Sequence, residues 1–90
     1  MNHEKYLILI QDFIEDRVLV EEFEQKYLAL FKSETEVMTS EHFKVLDSLF
    51  ASVDCYWKEC QEGQESKFEI SEVQLRKDAH NALEKLRNFQ

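Results

Sequence analysis

Proline is absent from this 90-residue chain, and Gly63 is its only glycine. The two residues that most often break helices are thus nearly missing, while Leu, Glu, Lys and Gln are plentiful, so the composition favours helix. Long apolar runs are missing too. The stretch Tyr6–Ile10 is five residues long and is flanked by Glu4 and Asp12. It is too short to span a membrane, and it lacks the form of a signal peptide. A cytoplasmic location is expected. Cysteine is scarce: Cys55 and Cys60 lie five apart, which on a continuous helix points them in different directions. Free thiols are expected.

Motifs that carry chemistry are also missing. His3, His42 and His80 are scattered, and none pairs with a neighbour at metal-ligand spacing. No Glu-x-x-His pair of a di-iron bundle occurs. No phosphate loop, dinucleotide fingerprint or nucleophile elbow is present. The expectation is a chain with no cofactor, no metal and no catalysis.

What the chain has is acid and apolar surface. The net charge is −8, and hydrophobic residues make up 43% of the chain, enough for a core rather than disorder. The charge is uneven. Residues 1–70 hold 16 acids and 7 bases, a net of −9, whereas residues 71–90 hold 3 acids and 4 bases, a net of +1. An acidic surface repels nucleic acid and membranes and speeds encounter with basic partners. Charge of this size also serves solubility alone.

The stretch Thr39–Lys58 organises the rest. Phe43, Leu46, Phe50, Val53 and Trp57 recur at helical spacing and form one stripe, widened by Val45, Leu49 and Tyr56. Asp47 and Asp54 line its other edge, seven residues and roughly 10.5 Å apart. Three more helices accompany it. The first runs from about His3 to Glu15 on Tyr6, Ile10 and Phe13, and a turn over 15–19 follows. The second covers Val20 to Lys32, with Val20, Phe23, Tyr27, Leu30 and Phe31 facing one way. Glu21, Glu22 and Glu24 crowd its first turn, where the helix dipole favours them. Glu22 and Lys26 form an i,i+4 pair.

A loop over 33–38 leads to a Thr39 or Ser40 cap, with Met38 and Phe43 placed as a hydrophobic staple. A long acidic loop covers about 58–70. The fourth helix opens on the capping box Ser71-Glu72-Val73-Gln74 with an Ile70–Leu75 staple. Its core stripe is Leu75, Ala79, Ala82, Leu86 and Phe89. The pattern predicts an all-α fold: a single domain over 1–90, an antiparallel up-down-up-down four-helix bundle with crossing angles near +20°.

The acidic edge beside Asp47 and Asp54, continued by the loop, is the candidate binding surface. Asp54 also has a plain structural role available, as an i,i+4 partner of Lys58. Asp47 can equally be a solvated boundary residue. Tyr56 and Trp57 adjoin the edge, and aromatic residues anchor many interfaces. Trp57 is expected in the core, as the continuation of its stripe.

Three stretches taken together resemble a family. They are LILIQDFIEDRVLVEEFEQKYLALFKSE, FKVLDSLFASVDCYW and FEISEVQLRKDAHNALEKL. They resemble the bacterial self-protective colicin-like immunity proteins, the group that contains the immunity protein of colicin D. The most specific parts are Glu22-Phe23, the run from Tyr27-Leu28 to Phe31-Lys32, Leu46-Asp47 with Leu49-Phe50, Val53-Asp54 with Tyr56, and Ala82–Leu86. The chain departs from the family at Leu19, where a capping Ser or Thr is common, and after Trp57, where a proline often follows.

The resemblance implies a four-helix immunity domain that neutralises a nuclease toxin. The toxin would be a tRNase of the colicin D or contact-dependent inhibition type, its basic active site covered by an acidic mimic of RNA. It implies toxin-facing acids at Asp54 and Glu59. With the acidic edge, the expected toxin-binding set is Asp47, Asp54, Tyr56, Glu59 and Glu62. The expected partner is a cognate basic nuclease domain in a 1:1 complex with a monomer, without direct contact to nucleic acid or membrane. The alternative is an acidic nucleic-acid mimic or helical adaptor for a different basic protein.

Overall fold

The computed structural model describes residues 4–35, 37–66 and 69–88. Four helices follow one another: α1 (Glu4–Ile14), α2 (Val20–Lys32), α3 (Ser40–Cys55) and α4 (Glu72–Asn88). Each packs on its neighbour in sequence, and α1 also packs on α4, which closes the ring of a four-helix bundle. The expected all-α class holds. His3 and Phe89, assigned above to the first helix and to the core stripe of the fourth, lie outside the described residues.

Aromatic contacts register α1 against α2. Phe13 stacks on Phe23 at 4.2 Å with rings 6° apart, while Tyr6 meets Tyr27 at 6.0 Å and Phe31 at 6.4 Å. These two helices therefore run in opposite senses. Phe31 continues to Phe50 at 5.1 Å and Phe43 at 6.0 Å on α3. The buried Tyr27 hydroxyl donates to the Leu46 carbonyl of α3 at 2.7 Å. Without that acceptor the hydroxyl would be an unsatisfied buried donor.

The turn after α1 has a specific cause. Asp16 adopts φ 61°, the left-handed region that Asp tolerates better than most residues. Arg17 N–H donates to the Asp12 carbonyl at 2.8 Å and Asp16 N–H to that of Phe13 at 3.1 Å. Together these make a Schellman motif, with Asp at the position usually held by Gly. Arg76 of α4 then fastens this corner. Its guanidinium donates to the Phe13 carbonyl at 2.9 Å, pairs with Asp16 at 2.9 Å and with Glu72 at 2.9 Å, and lies 4.5 Å over the Phe13 ring.

Caps set the other helix starts. Thr39 accepts from His42 N–H at 3.2 Å, as the sequence predicts. Ser71 is 2% exposed and accepts from Gln74 N–H at 3.1 Å. Only half of that capping box forms, because the Gln74 amide donates to Asp78 instead, at 2.9 Å. Leu19 precedes α2 without any side-chain cap bond.

The central stripe is corrected by the structure. The buried residues of the third segment are Leu46, Leu49, Val53 and Tyr56, whereas Phe43 is 48% and Trp57 51% exposed. The inward direction of α3 bisects its two neighbours, α2 and α4, which rotates the core towards Leu49 and Tyr56. The helix also stops earlier than Lys58. Ile70 N–H takes the Cys55 carbonyl at 2.9 Å, Trp57 N–H donates back to Ile70 at 3.1 Å, and Tyr56 and Ile70 form a parallel bridge. Cys60 is therefore not on the helix with Cys55, as the sequence reading assumed, although both are free thiols.

Candidate toxin-facing surface

The early end of α3 changes the surroundings of Asp54. Lys58 falls in a turn outside the helix, and no Asp54–Lys58 ion pair forms. Asp54 instead stands in the last turn of α3, which carries no basic residue. A carboxylate there meets the negative end of the helix dipole, an unfavourable place. Across the seam with α2, Asp54 and Glu21 act on Glu24. Burial chiefly, then Glu21 and Asp54, push the Glu24 carboxyl above its ordinary value of 4.5.

None of Glu21, Glu24 and Asp54 has an ion pair or side-chain hydrogen bond with any described residue. The contrast with Glu22 is sharp: it pairs with Lys26 at 2.7 Å, as its spacing predicts. The dipole account of the acidic first turn of α2 thus covers Glu21 and Glu22. It does not reach Glu24, which lies beyond that turn and feels the like charges of Glu21 and Asp54. Sequence reading missed Glu21 and Glu24 as site residues. The signal was present in the Glu21-Glu22-x-Glu24 cluster, but the neighbour that gives it meaning is 30 positions further on.

Tyr56 belongs to the core cluster at 9% exposure. Burial chiefly, then Glu21, Glu72 and Glu24, raise its phenol. Its hydroxyl end therefore lies beneath the acidic group, and its ring is core. Of the two adjoining rings, Trp57 is the exposed one, at 51%. Tyr56 keeps the place beside the core stripe that its spacing gave it, and the expectation of a core Trp57 is overturned, because the helix ends between them and extended backbone turns successive side chains to opposite sides.

Asp47 is exposed higher on α3. Burial, Tyr6 and then Asp47 raise the buried Tyr27 phenol, which places Asp47 along the same α2–α3 seam. Glu59 and Glu62 are exposed in the loop and pair with no described residue. Glu65 is spent internally. It accepts from Gly63 N–H at 2.8 Å and from the Ser71 hydroxyl, and these bonds, Ser71 first, hold its carboxyl below the ordinary range. Cys60 has its thiol raised by burial and then by Glu65 and Glu69. The groove between α3 and α4, about 290 Å³, has Lys44 and Lys85 at its rim. Its one carboxylate, Asp78, is engaged by Ser52 and Gln74. Among the described residues no cluster of three His, Cys, Asp or Glu side chains could hold a metal, and no helix is long and apolar enough to cross a membrane.

A family model described as bacterial self-protective colicin-like immunity matches residues 1–86. The chain belongs to that family. No curated protein and no solved structure matches it. The four-helix bundle is therefore that of an immunity protein, which neutralises a toxin by binding it; the family is one of inhibitors rather than enzymes.

Like charges at Glu24 give this immunity protein a testable pH signature. A raised carboxyl binds its proton more tightly in the folded state, so it adds stability below its unfolded value and loses it as pH rises through the folded one. At pH 7 the repulsion is fully present. Glu24→Gln should raise the Tm of the free protein by roughly 2–4 °C at pH 7, the scale of a favourable surface change. The gain should shrink as pH falls from the raised folded value towards the ordinary 4.5. Melting curves of both proteins at several pH values read this directly, and a pH-independent difference would remove the charge explanation.

Proposed function

We propose that this immunity protein neutralises a nuclease toxin, of the tRNase type, by covering its basic active site with the acidic end of the bundle. The supporting observation is Asp54. It occupies the turn of α3 where a carboxylate is least favoured, makes no ion pair with a described residue, and acts on Glu24 across the seam. The helix dipole accounts for Glu21 but not for Asp54, and local rules are most often broken at functional sites. A partner that brings Arg or Lys into the cluster relieves the repulsion and gains charge-assisted hydrogen bonds. Asp47, Glu59 and Glu62 extend the surface along α3 and into the loop. Tyr56 supports it from below with its phenol edge. The carboxylates stand where RNA phosphates would lie against the toxin, and inhibition is by occupancy.

The test uses the nuclease domain of a candidate toxin made by the same cell. Purified domain should cleave transfer RNA, and an equimolar amount of the immunity protein should abolish cleavage through a 1:1 complex. Binding that leaves cleavage intact would place the contact away from the active site. Protection of a substrate other than RNA would replace the tRNase assignment while keeping the immunity role.

A further inference from the structure

Trp57 is the only tryptophan of the chain and is 51% exposed. Exposure of one apolar side chain is ordinary, and Ile8, Leu19 and Val37 are exposed further. What sets Trp57 apart is a large aromatic ring carried on a fixed acidic segment, the residue type that anchors many interfaces. Its backbone is fixed on three sides. Trp57 N–H donates to Ile70 at 3.1 Å, and its carbonyl accepts from Cys60 N–H at 2.9 Å. The residue before it is locked in the bridge to Ile70. Tyr56 turns inward beneath Glu21, Glu24 and Glu72, so the indole stands outward at the same end of the bundle.

The arm that leaves Trp57 is tied down as well. Gln64 N–H returns to the Gln61 carbonyl at 2.9 Å, and Gly63 makes the turn at φ 90°. Glu65 then grips Gly63 N–H at 2.8 Å with one oxygen and the Ser71 hydroxyl with the other. Ser71 is itself buried and caps α4. The run from Trp57 to Glu65 is thus held at its neck by a backbone bridge and at its far side by one carboxylate. A preformed loop loses little entropy on binding. Along it, Glu59 and Glu62 are exposed and pair with no described residue, and Asp54 precedes it by one turn. The charge suits a basic partner, and an exposed ring flanked along the chain by Asp54 and Glu59 suits a guanidinium or ammonium group.

We propose that Trp57 is the aromatic anchor of the toxin contact, taking an Arg or Lys side chain of the toxin on its ring. Glu65 is the positioning residue that holds the arm in shape. This rests on the toxin-binding reading above. The experiment labels the immunity protein alone with 5-fluorotryptophan, so that tryptophans of the toxin stay silent. The probe is that same toxin nuclease domain in catalytically inactivated form.

The single fluorine signal should shift on adding that domain, and it should lose access to a soluble paramagnetic agent. Trp57→Ala should weaken binding at least about thirtyfold, the scale of an interface hot spot, with Trp57→Phe between it and wild type. The Tm of the free protein should fall far less than for truncation of a buried ring, since half of Trp57 is exposed. Glu65→Ala should slow association, whereas Glu65→Gln, which keeps the acceptors but not the charge, should restore much of it. Equal effects of Gln and Ala would mean that Glu65 acts by charge, and would overturn its positioning role. A tight complex with an unmoved fluorine signal would overturn the anchor while leaving the toxin-binding reading in place. If neither Trp57 nor the carboxylates of α2 and α3 matter, the reading itself fails.

Discussion

Asp54→Lys is expected to weaken toxin binding by about 2–5 kcal/mol, roughly thirtyfold to several thousandfold, because it removes a pair and adds repulsion in a desolvated contact. The free protein should not suffer. A lysine in the last turn of α3 is favoured by the helix dipole, and it would neutralise the field that Glu21 and Asp54 exert on Glu24. The Tm of the free protein should therefore hold or rise while affinity collapses. Glu59→Lys should also weaken binding strongly. Glu22→Lys removes a residue already paired with Lys26, and Glu84→Lys alters an exposed residue near His80 on α4. Both should mainly slow association and change its salt dependence. Calorimetric Kd values against the toxin domain, with circular dichroism melts of each variant, separate the two groups. Equal losses at all four positions would mean diffuse attraction and no defined acidic surface. A fall in Tm for Asp54→Lys would show that Asp54 has a structural partner after all.

Phe13→Ala is expected to be the most damaging single truncation. The ring is fully buried, stacks on Phe23 at 4.2 Å and carries the Arg76 guanidinium at 4.5 Å. Truncating a buried Phe typically costs about 3–5 kcal/mol. A domain of this size has a total stability of only about 5–15 kcal/mol. The loss would also take the ring from beneath Arg76, leaving its bonds to the Phe13 carbonyl and Asp16 without that packing. Phe50→Ala should cost less, since Phe50 is only partly buried and meets Phe31 from one side. Urea melts should show the midpoint of Phe13→Ala far below that of Phe50→Ala with a similar m value. A smaller loss at Phe13 than at Phe50 would mean that the α1–α2 stack is not the main support of the bundle.

Local chemistry made much of this protein legible in advance. Helical periodicity without glycine or proline fixed four helices, and α2 matched its expected bounds of Val20 and Lys32. Caps read well because a cap bond spans three residues: Thr39 and Ser71 were both identifiable. The Glu22–Lys26 pair was visible for the same reason, and the family stretches made the immunity role legible over nearly the whole chain.

What failed were judgements that depend on residues far apart in the chain. Ile70 takes the last carbonyl of α3, so the helix ends at Cys55, and this one long-range bridge exposes Trp57, buries Tyr56 and removes Lys58 from Asp54. Glu21 and Glu24 read as ordinary first-turn acids until α2 was laid against α3. Arg76 looked like one more surface cation, yet it closes a corner 63 residues away. Periodicity specifies that a helix has an apolar side, but the direction of inward is set by where its neighbours stand. Charge pairing likewise depends on distances in space, which a sequence gives only within one turn of a helix.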